Sequence, residues 1–266
     1  TYTIEAMMHD GKALQSGTSH FFGNAFPDSF DIKYLDKENN LHSAYETSWG
    51  MSTRIIGAII MVHGDDSGLV LPPRIAPTQV MVIPIAQHKE GVLDKANELY
   101  DRLKKHGIRV KIDDSEKSPG FKFSEQEILG IPTRIEIGPR DIENGECVIC
   151  RRDNGEKITV KLKEIENKLE ELLETIQTDM YNKASEFLDS HIYSANTLDE
   201  MKEIAKDNIG FIKAPWCGNS ECEDIIKAET GGFGSRCIPF NQPKVKSKCA
   251  CCGKDAEDIV VWGKSY

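Results

Sequence analysis

Hydrophobic positions change their spacing several times along this chain, and each change predicts an element. The alternation Asp31-Ile32-Lys33-Tyr34-Leu35, followed by an Asn39-Asn40 turn before Leu41, predicts hairpins of an antiparallel sheet in the first part. From Arg54 the run Ile55-Ile56-Gly57-Ala58-Ile59-Ile60-Met61-Val62 is apolar on all sides, the pattern of a buried helix. Pro72, Pro73 and Pro77 then mark a boundary, because proline breaks both helix and ladder. Val80 to Ile85 reads as a short strand. Lys89 to His106 reads as a helix with Leu93, Ala96, Leu99, Tyr100 and Leu103 on one face, stopped by Gly107. Ile108–Ile112, Thr133–Ile137 and Cys147–Cys150 add strands, giving an α/β unit with a mixed sheet. After Val160, the positions Leu162, Ile165, Leu169, Leu172, Leu173, Ile176 and Met180 define one apolar face of a long helix whose many Glu residues are solvated. Leu198 to Ala205 forms a further helix.

Composition changes this picture in two places. The chain has 266 residues, 39% of them hydrophobic, enough for two or three cored domains, and no apolar run approaches the roughly 18 residues of a membrane span. A net charge of -10 argues against a polyanionic partner, since phosphate binding draws on Lys and Arg. Yet residues 76–163 hold 16 Lys and Arg against 15 Asp and Glu, so the acidic excess lies elsewhere and a local basic face is possible there. The second change comes from eight cysteines in a chain without secretory features, which favour metal binding over disulfides. Cys217 and Cys222 form one cluster, and Cys249, Cys251 and Cys252 another. Two such knuckles near glycines can place four thiolates tetrahedrally on zinc. The assignment is Cys217, Cys222, Cys249 and Cys252, with Gly253 favouring Cys252 over Cys251 as the fourth ligand and the extra thiol leaving that position ambiguous. Cys147, Cys150 and Cys237 read as small buried hydrophobes, the first two pointing to opposite faces of a strand.

Directional chemistry gathers near the start. A Gly-hinged loop, Ala13-Leu14-Gln15-Ser16-Gly17-Thr18-Ser19-His20, carries an amide, a hydroxyl and an imidazole at short spacing. Arg54, opening the apolar helix beside Gly50, is placed to grip phosphate oxygens. Together the pieces look like half of an ATP-using site, although singly each is ordinary loop or core.

Ala13–His20, Ser48–Arg54, His63–Arg74, Ser118–Phe123, Gly138–Asp141 and Gly263–Tyr266 form an ordered series across essentially the whole chain. That series resembles prolyl-tRNA synthetases of the archaeal/eukaryotic-like kind. The region of Arg54 matches the third signature motif of class II synthetases, and the first two motifs are not in this chain. With Thr1 at the start, the expectation is a C-terminal fragment of a longer enzyme, inactive by itself. The resemblance implies a multidomain α/β and α+β protein: part of a class II antiparallel-sheet catalytic domain over 1–74, an α/β anticodon-binding domain over 75–177, and a small zinc-binding α+β domain over 178–266.

The resemblance also implies roles. The parent enzyme would activate L-proline with ATP and load tRNA(Pro). Gln15 would touch ATP and its Mg²⁺, Thr18 and Ser52 would hydrogen-bond ATP, Arg54 would stabilise the phosphates as the catalytic residue, and His20 would help hold proline. Ser52 stands where the family often has Thr. Glu127, Arg134 and Asp141, with Lys157, would read the anticodon guanines: carboxylates accept from the base amino and imino groups, and Arg donates to O6 and N7. The plain alternative for Arg134 and Glu136 is a cross-strand surface ion pair, worth little. The zinc would be structural, and the parent a cytoplasmic homodimer without membrane contact. Two other readings stay open: a non-catalytic RNA-binding module carrying zinc, and a class II synthetase for threonine, histidine or glycine.

Overall fold

The computed structural model describes residues 1–242 and 244–266. The chain forms two compact units, one made of residues 1–62 with 187–266, the other of residues 63–186.

The first unit opens with β1 (Tyr2–Met7), β2 (Ala13–Gly23), a short α1 (Ala25–Ser29), the hairpin β3 (Lys33–Leu35) and β4 (Leu41–Ser43), β5 (Glu46–Met51) and α2 (Arg54–His63). Strands β1, β2 and β5 form an antiparallel sheet in that order, and Asn39, at φ 63°, turns the hairpin. Two expectations are corrected here. Gln15, Thr18 and His20 lie on β2, not on a loop, because both edges of that segment find ladder partners. Helix α2 buries only Ala58, which packs with Met8 and Leu14, while Ile56 is 58% exposed. An apolar run reports what a segment is able to bury; it does not report which neighbours this chain supplies.

The second unit comprises β6 (Val80–Pro84), α3 (Val92–Lys105), β7 (Val110–Ile112), α4 (Pro119–Leu129), β8 (Thr133–Ile137), α5 (Pro139–Asn144), β9 (Glu146–Arg151), β10 (Lys157–Lys161) and most of α6 (Ile165–Ser190). Its sheet runs β10-β9-β8-β6-β7, parallel where β6 meets β7 and β8, antiparallel from β8 to β10. Val80, Val82, Ile135, Ile137 and Ile149 pack against Leu99 and Leu103 and the predicted face of α6, Ile165, Leu169, Leu172 and Ile176. Fully burying each such aliphatic side chain contributes roughly 1.5–3 kcal/mol. Helix α4 escaped the periodicity reading, although its ends are written in sequence. Ser118 accepts from the Phe121 N–H, Pro119 occupies the first turn, and Gly130 (φ 67°) closes the helix in the left-handed region.

The segment after α2 belongs to this second unit for local reasons. Leu69 and Leu71 N–H donate to the carbonyls of Ile128 and Gly130, and Arg152 grips Asp65 with both terminal nitrogens. Arg109 donates to the carbonyls of Pro73 and Ala76, so the prolines that read as a boundary are bound into the unit.

The first unit is completed by the end of α6, then β11 (Ile192–Ser194), α7 (Leu198–Asp207), β12 (Phe211–Trp216), α8 (Ser220–Glu229), β13 (Gly234–Cys237) and β14 (Asp258–Gly263). Its second sheet runs β11-β12-β14-β13 around a core of Trp262, Met201, Ile212, Ile226, Phe233 and Val260. The chain end returns to β2: Ala13 N–H donates to the Lys264 carbonyl at 2.7 Å, and Ala13 bridges Ser265.

Candidate functional site

Three groupings of side chains emerge. The first surrounds a cavity of about 130 Å³ in the first unit, lined by Glu5, Gln15, Arg54, Arg236, Ser265 and Tyr266. A β-bulge creates part of it: Ile4 pairs with Gly17 but Glu5 pairs with Gln15, leaving Ser16 as the extra residue. Gln15 Nε2 donates to Thr3 Oγ1 at 3.3 Å, and that hydroxyl donates to Glu5 Oε1 at 3.0 Å. Arg54 starts α2, with its N–H donating to Ser52 Oγ at 3.3 Å. Burial and a hydrogen bond donated to Asp10 raise the Tyr266 phenol to about 12, so it keeps its proton near neutrality.

The predicted residues do not all share this cavity. Thr18 lines a second, largely apolar groove of about 310 Å³ with Tyr2, Ile4, Trp49 and Met51. The Ser52 hydroxyl is engaged by the Arg54 N–H just before α2. His20 is hydrogen-bonded to Thr1 Oγ1 at 2.9 Å through Nδ1 and stacks on Phe22 at 5.1 Å. Glu5 and Arg236 were missed by the sequence reading. Glu5 alternates with Thr3 and Met7, an acid on the half-buried face of a strand whose Tyr2 and Ile4 are exposed, and that inversion was the available signal.

The second grouping lies on the sheet of the second unit. Arg134, Cys150 and Lys157 are direct cross-strand partners on β8, β9 and β10 and so share one face. Arg134 donates from Nε to Glu136 at 2.9 Å and from Nη1 to Glu127 at 2.8 Å, with its guanidinium 4.4 Å from the centre of the Phe123 ring. Lys157 reaches Glu136 at 3.1 Å. The Arg134–Glu136 pair is therefore not a cross-strand surface pair. The two residues sit two apart on one strand, with side chains 11% and 14% exposed. Burial opposes the charge on Arg134, and the hydrogen bonds to Glu136 and Glu127 outweigh it, holding the guanidinium above its ordinary range. Asp141 stands apart, its Oδ2 accepting from Gly138 N–H at 2.8 Å to cap α5.

The third grouping is four thiols, Cys217, Cys222, Cys249 and Cys252, whose sulfurs all lie within 4.8 Å of one another. Cys217 Sγ is 3.8 Å from Cys222 Sγ and 3.6 Å from Cys252 Sγ. Sulfurs held tetrahedrally at the usual zinc distance of about 2.3 Å stand about 3.8 Å apart, so the cage fits that ion. Cys217 directly follows β12, Cys222 sits on α8, and a turn in which Gly253 N–H donates to the Cys249 carbonyl aims Cys252 at the same point. Cys251 instead packs against the Trp262 core. The N–H of Lys254 draws the Cys252 thiol down to about 7, whereas burial pushes Cys222 up. Cys147 and Cys150 are buried, as read from the sequence.

Comparison with known proteins adds the following. A family model described as "Anticodon binding domain" matches residues 79–172, and one described as "Prolyl-tRNA synthetase, C-terminal" matches residues 198–266. Proteins named proline–tRNA ligase from Agathobacter rectalis and Clostridium novyi are 62% and 58% identical over the whole chain. The protein named proline–tRNA ligase 2 from Bacillus cereus is 53% identical. This chain covers 55% of the length of the first two and 56% of the third, so it spans about half the length of the curated relatives it matches.

Proposed function

Because the chain belongs to the prolyl-tRNA synthetase family, we propose that it forms the part of a proline–tRNA ligase that completes the ATP site, reads the anticodon and carries a structural zinc. The observation that carries this reading is the convergence of Gln15 and Arg54, distant in sequence, on one polar cavity. In the proposed reaction the prolyl carboxylate oxygen attacks the α-phosphorus of ATP. The bond to the bridging oxygen breaks, and pyrophosphate leaves. A ribose hydroxyl at the 3′ end of tRNA(Pro) then attacks the prolyl carbonyl, losing its proton as AMP departs. No protein nucleophile is required, so catalysis rests on positioning and charge stabilisation. Arg54 would neutralise charge on the phosphates, and Gln15 would orient ATP with its accompanying Mg²⁺. Thr18, Ser52 and His20 would contribute from β2 and the start of α2, His20 toward proline.

Anticodon reading is assigned to Glu127, Arg134, Asp141 and Lys157. Arg134 already has two acidic partners and an aromatic ring beneath it, which fixes its fork for bidentate recognition of a guanine edge. The four thiolates would hold the zinc, whose closed shell leaves no place for water or substrate. The archaeal/eukaryotic-like assignment, the cytoplasmic location and the homodimer belong to the same proposal.

The anticodon assignment is tested by charging tRNA with the full-length enzyme. Arg134→Ala should cost about 1–3 kcal/mol of discrimination between a proline anticodon and one with its guanines replaced. Unchanged discrimination would make Arg134 a structural residue of the sheet.

A further inference from the structure

Two residues that line the cavity around Gln15 and Arg54 each hold a buried polar atom that none of the described residues satisfies. Glu5 Oε2 and Arg236 Nε are both buried and have no hydrogen-bond partner among the described residues. Buried polar atoms are ordinarily paired, and leaving one unpaired is costly, so an orphaned acceptor and an orphaned donor on two residues lining one cavity point to side chains kept for a ligand. Arg236 reaches the cavity through a second irregularity. On β13, Ser235 pairs with Trp262 and Cys237 with Val261, so Arg236 is displaced from the regular ladder. Such bulges re-aim a side chain. Two bulges, at Ser16 and near Arg236, thus bring groups from two different sheets to one space.

The lining residues offer two guanidiniums, one carboxylate, one amide and the hydroxyls of Ser265 and Tyr266. A ligand that satisfies this set carries several anionic oxygens for the guanidiniums and a cation for the carboxylate. A polyphosphate chain with its divalent ion has both. We propose that Arg236, with Glu5, is a further phosphate-binding residue of the ATP site, so that the sheet next to the cysteine cage contacts the substrate directly. This rests on the prolyl-tRNA synthetase reading and adds to it a substrate contact outside the catalytic-domain segment.

The test is ATP–pyrophosphate exchange by the full-length enzyme, with KM measured separately for ATP and proline. Losing a charge-assisted contact in Arg236→Gln should raise KM for ATP about ten-fold or more, with KM for proline and metal content unchanged. Arg236→Lys keeps the charge but not the fork and should fall between. An unaltered KM for ATP in Arg236→Gln, or in Arg236→Lys should the first variant not fold, overturns the inference and leaves the family reading intact. Absence of proline-dependent exchange in the unsubstituted enzyme overturns the reading beneath it.

Discussion

Cys217→Ser should lose the bound zinc, whereas Cys251→Ser should retain one ion per chain. The four cage sulfurs lie within 4.8 Å of one another, with Cys217 at 3.8 and 3.6 Å from Cys222 and Cys252, close to the spacing of a tetrahedral shell, and Cys251 packs against the Trp262 core. Structural zinc is bound with roughly 10–16 kcal/mol in zinc-finger peptides, so removing one of four thiolates should reduce affinity by orders of magnitude. The consequence for the fold is narrower than the polar stretch Lys244–Asp258 suggests. The surrounding sheet has its own core, with Trp262, Met201, Ile212 and Val260 buried. Metal loss should therefore loosen the turns at 217–222 and 249–254 first and leave β12 and β14 paired. With thiolates as the proposed ligands, falling pH should protonate them and weaken binding, and Cys252, drawn down to about 7, yields its proton more readily than buried Cys222. Elemental analysis and amide hydrogen exchange check this. Zinc retained by Cys217→Ser and lost by Cys251→Ser would reverse the assignment.

Arg54→Ala should reduce prolyl-adenylate formation by about 10²–10³, the effect of deleting one preorganised group that stabilises developing charge. Among the described residues its guanidinium makes no ion pair, so the loss should fall on catalysis and spare stability. Single-turnover adenylation together with thermal unfolding separates the two. A rate within a few-fold of the unsubstituted enzyme would remove Arg54 from the site.

How much of this was legible in the sequence differs from site to site. The cage was legible because its thiols come in two short clusters whose spacing is itself the signal, and the four sulfurs that gather include Cys252, while Cys251 packs against the Trp262 core. The mixed sheet of the second unit was legible because Val80–Pro84, Thr133–Ile137 and α6 carry clean periods. Helix α4 was not, because Pro119-Gly120 reads as a breaker when it is the first turn of a capped helix. Nor was the joining of residues 1–62 with 187–266, which depends on long-range pairing such as Ala13 with Ser265. Arg236 shows the limit most clearly. The role proposed for it depends on a bulge and on an unpaired nitrogen, neither of which leaves a mark in residue spacing.

The cluster proposed to read the anticodon lies between these cases. Family resemblance pointed to Glu127, Arg134 and Asp141, with Lys157, and geometry joins Glu127, Arg134 and Lys157 through Arg134 and Glu136 while Asp141 caps α5 apart from them. Phe123 beneath the guanidinium was visible only once α4 was placed against β8.

The central claim, that this chain belongs to an enzyme which activates proline, is tested most directly by ATP–pyrophosphate exchange on the full-length protein with each amino acid in turn. Exchange that depends on proline and is not supported by threonine, histidine or glycine is the result predicted. Exchange driven by one of those three, or no exchange with any amino acid, would contradict it.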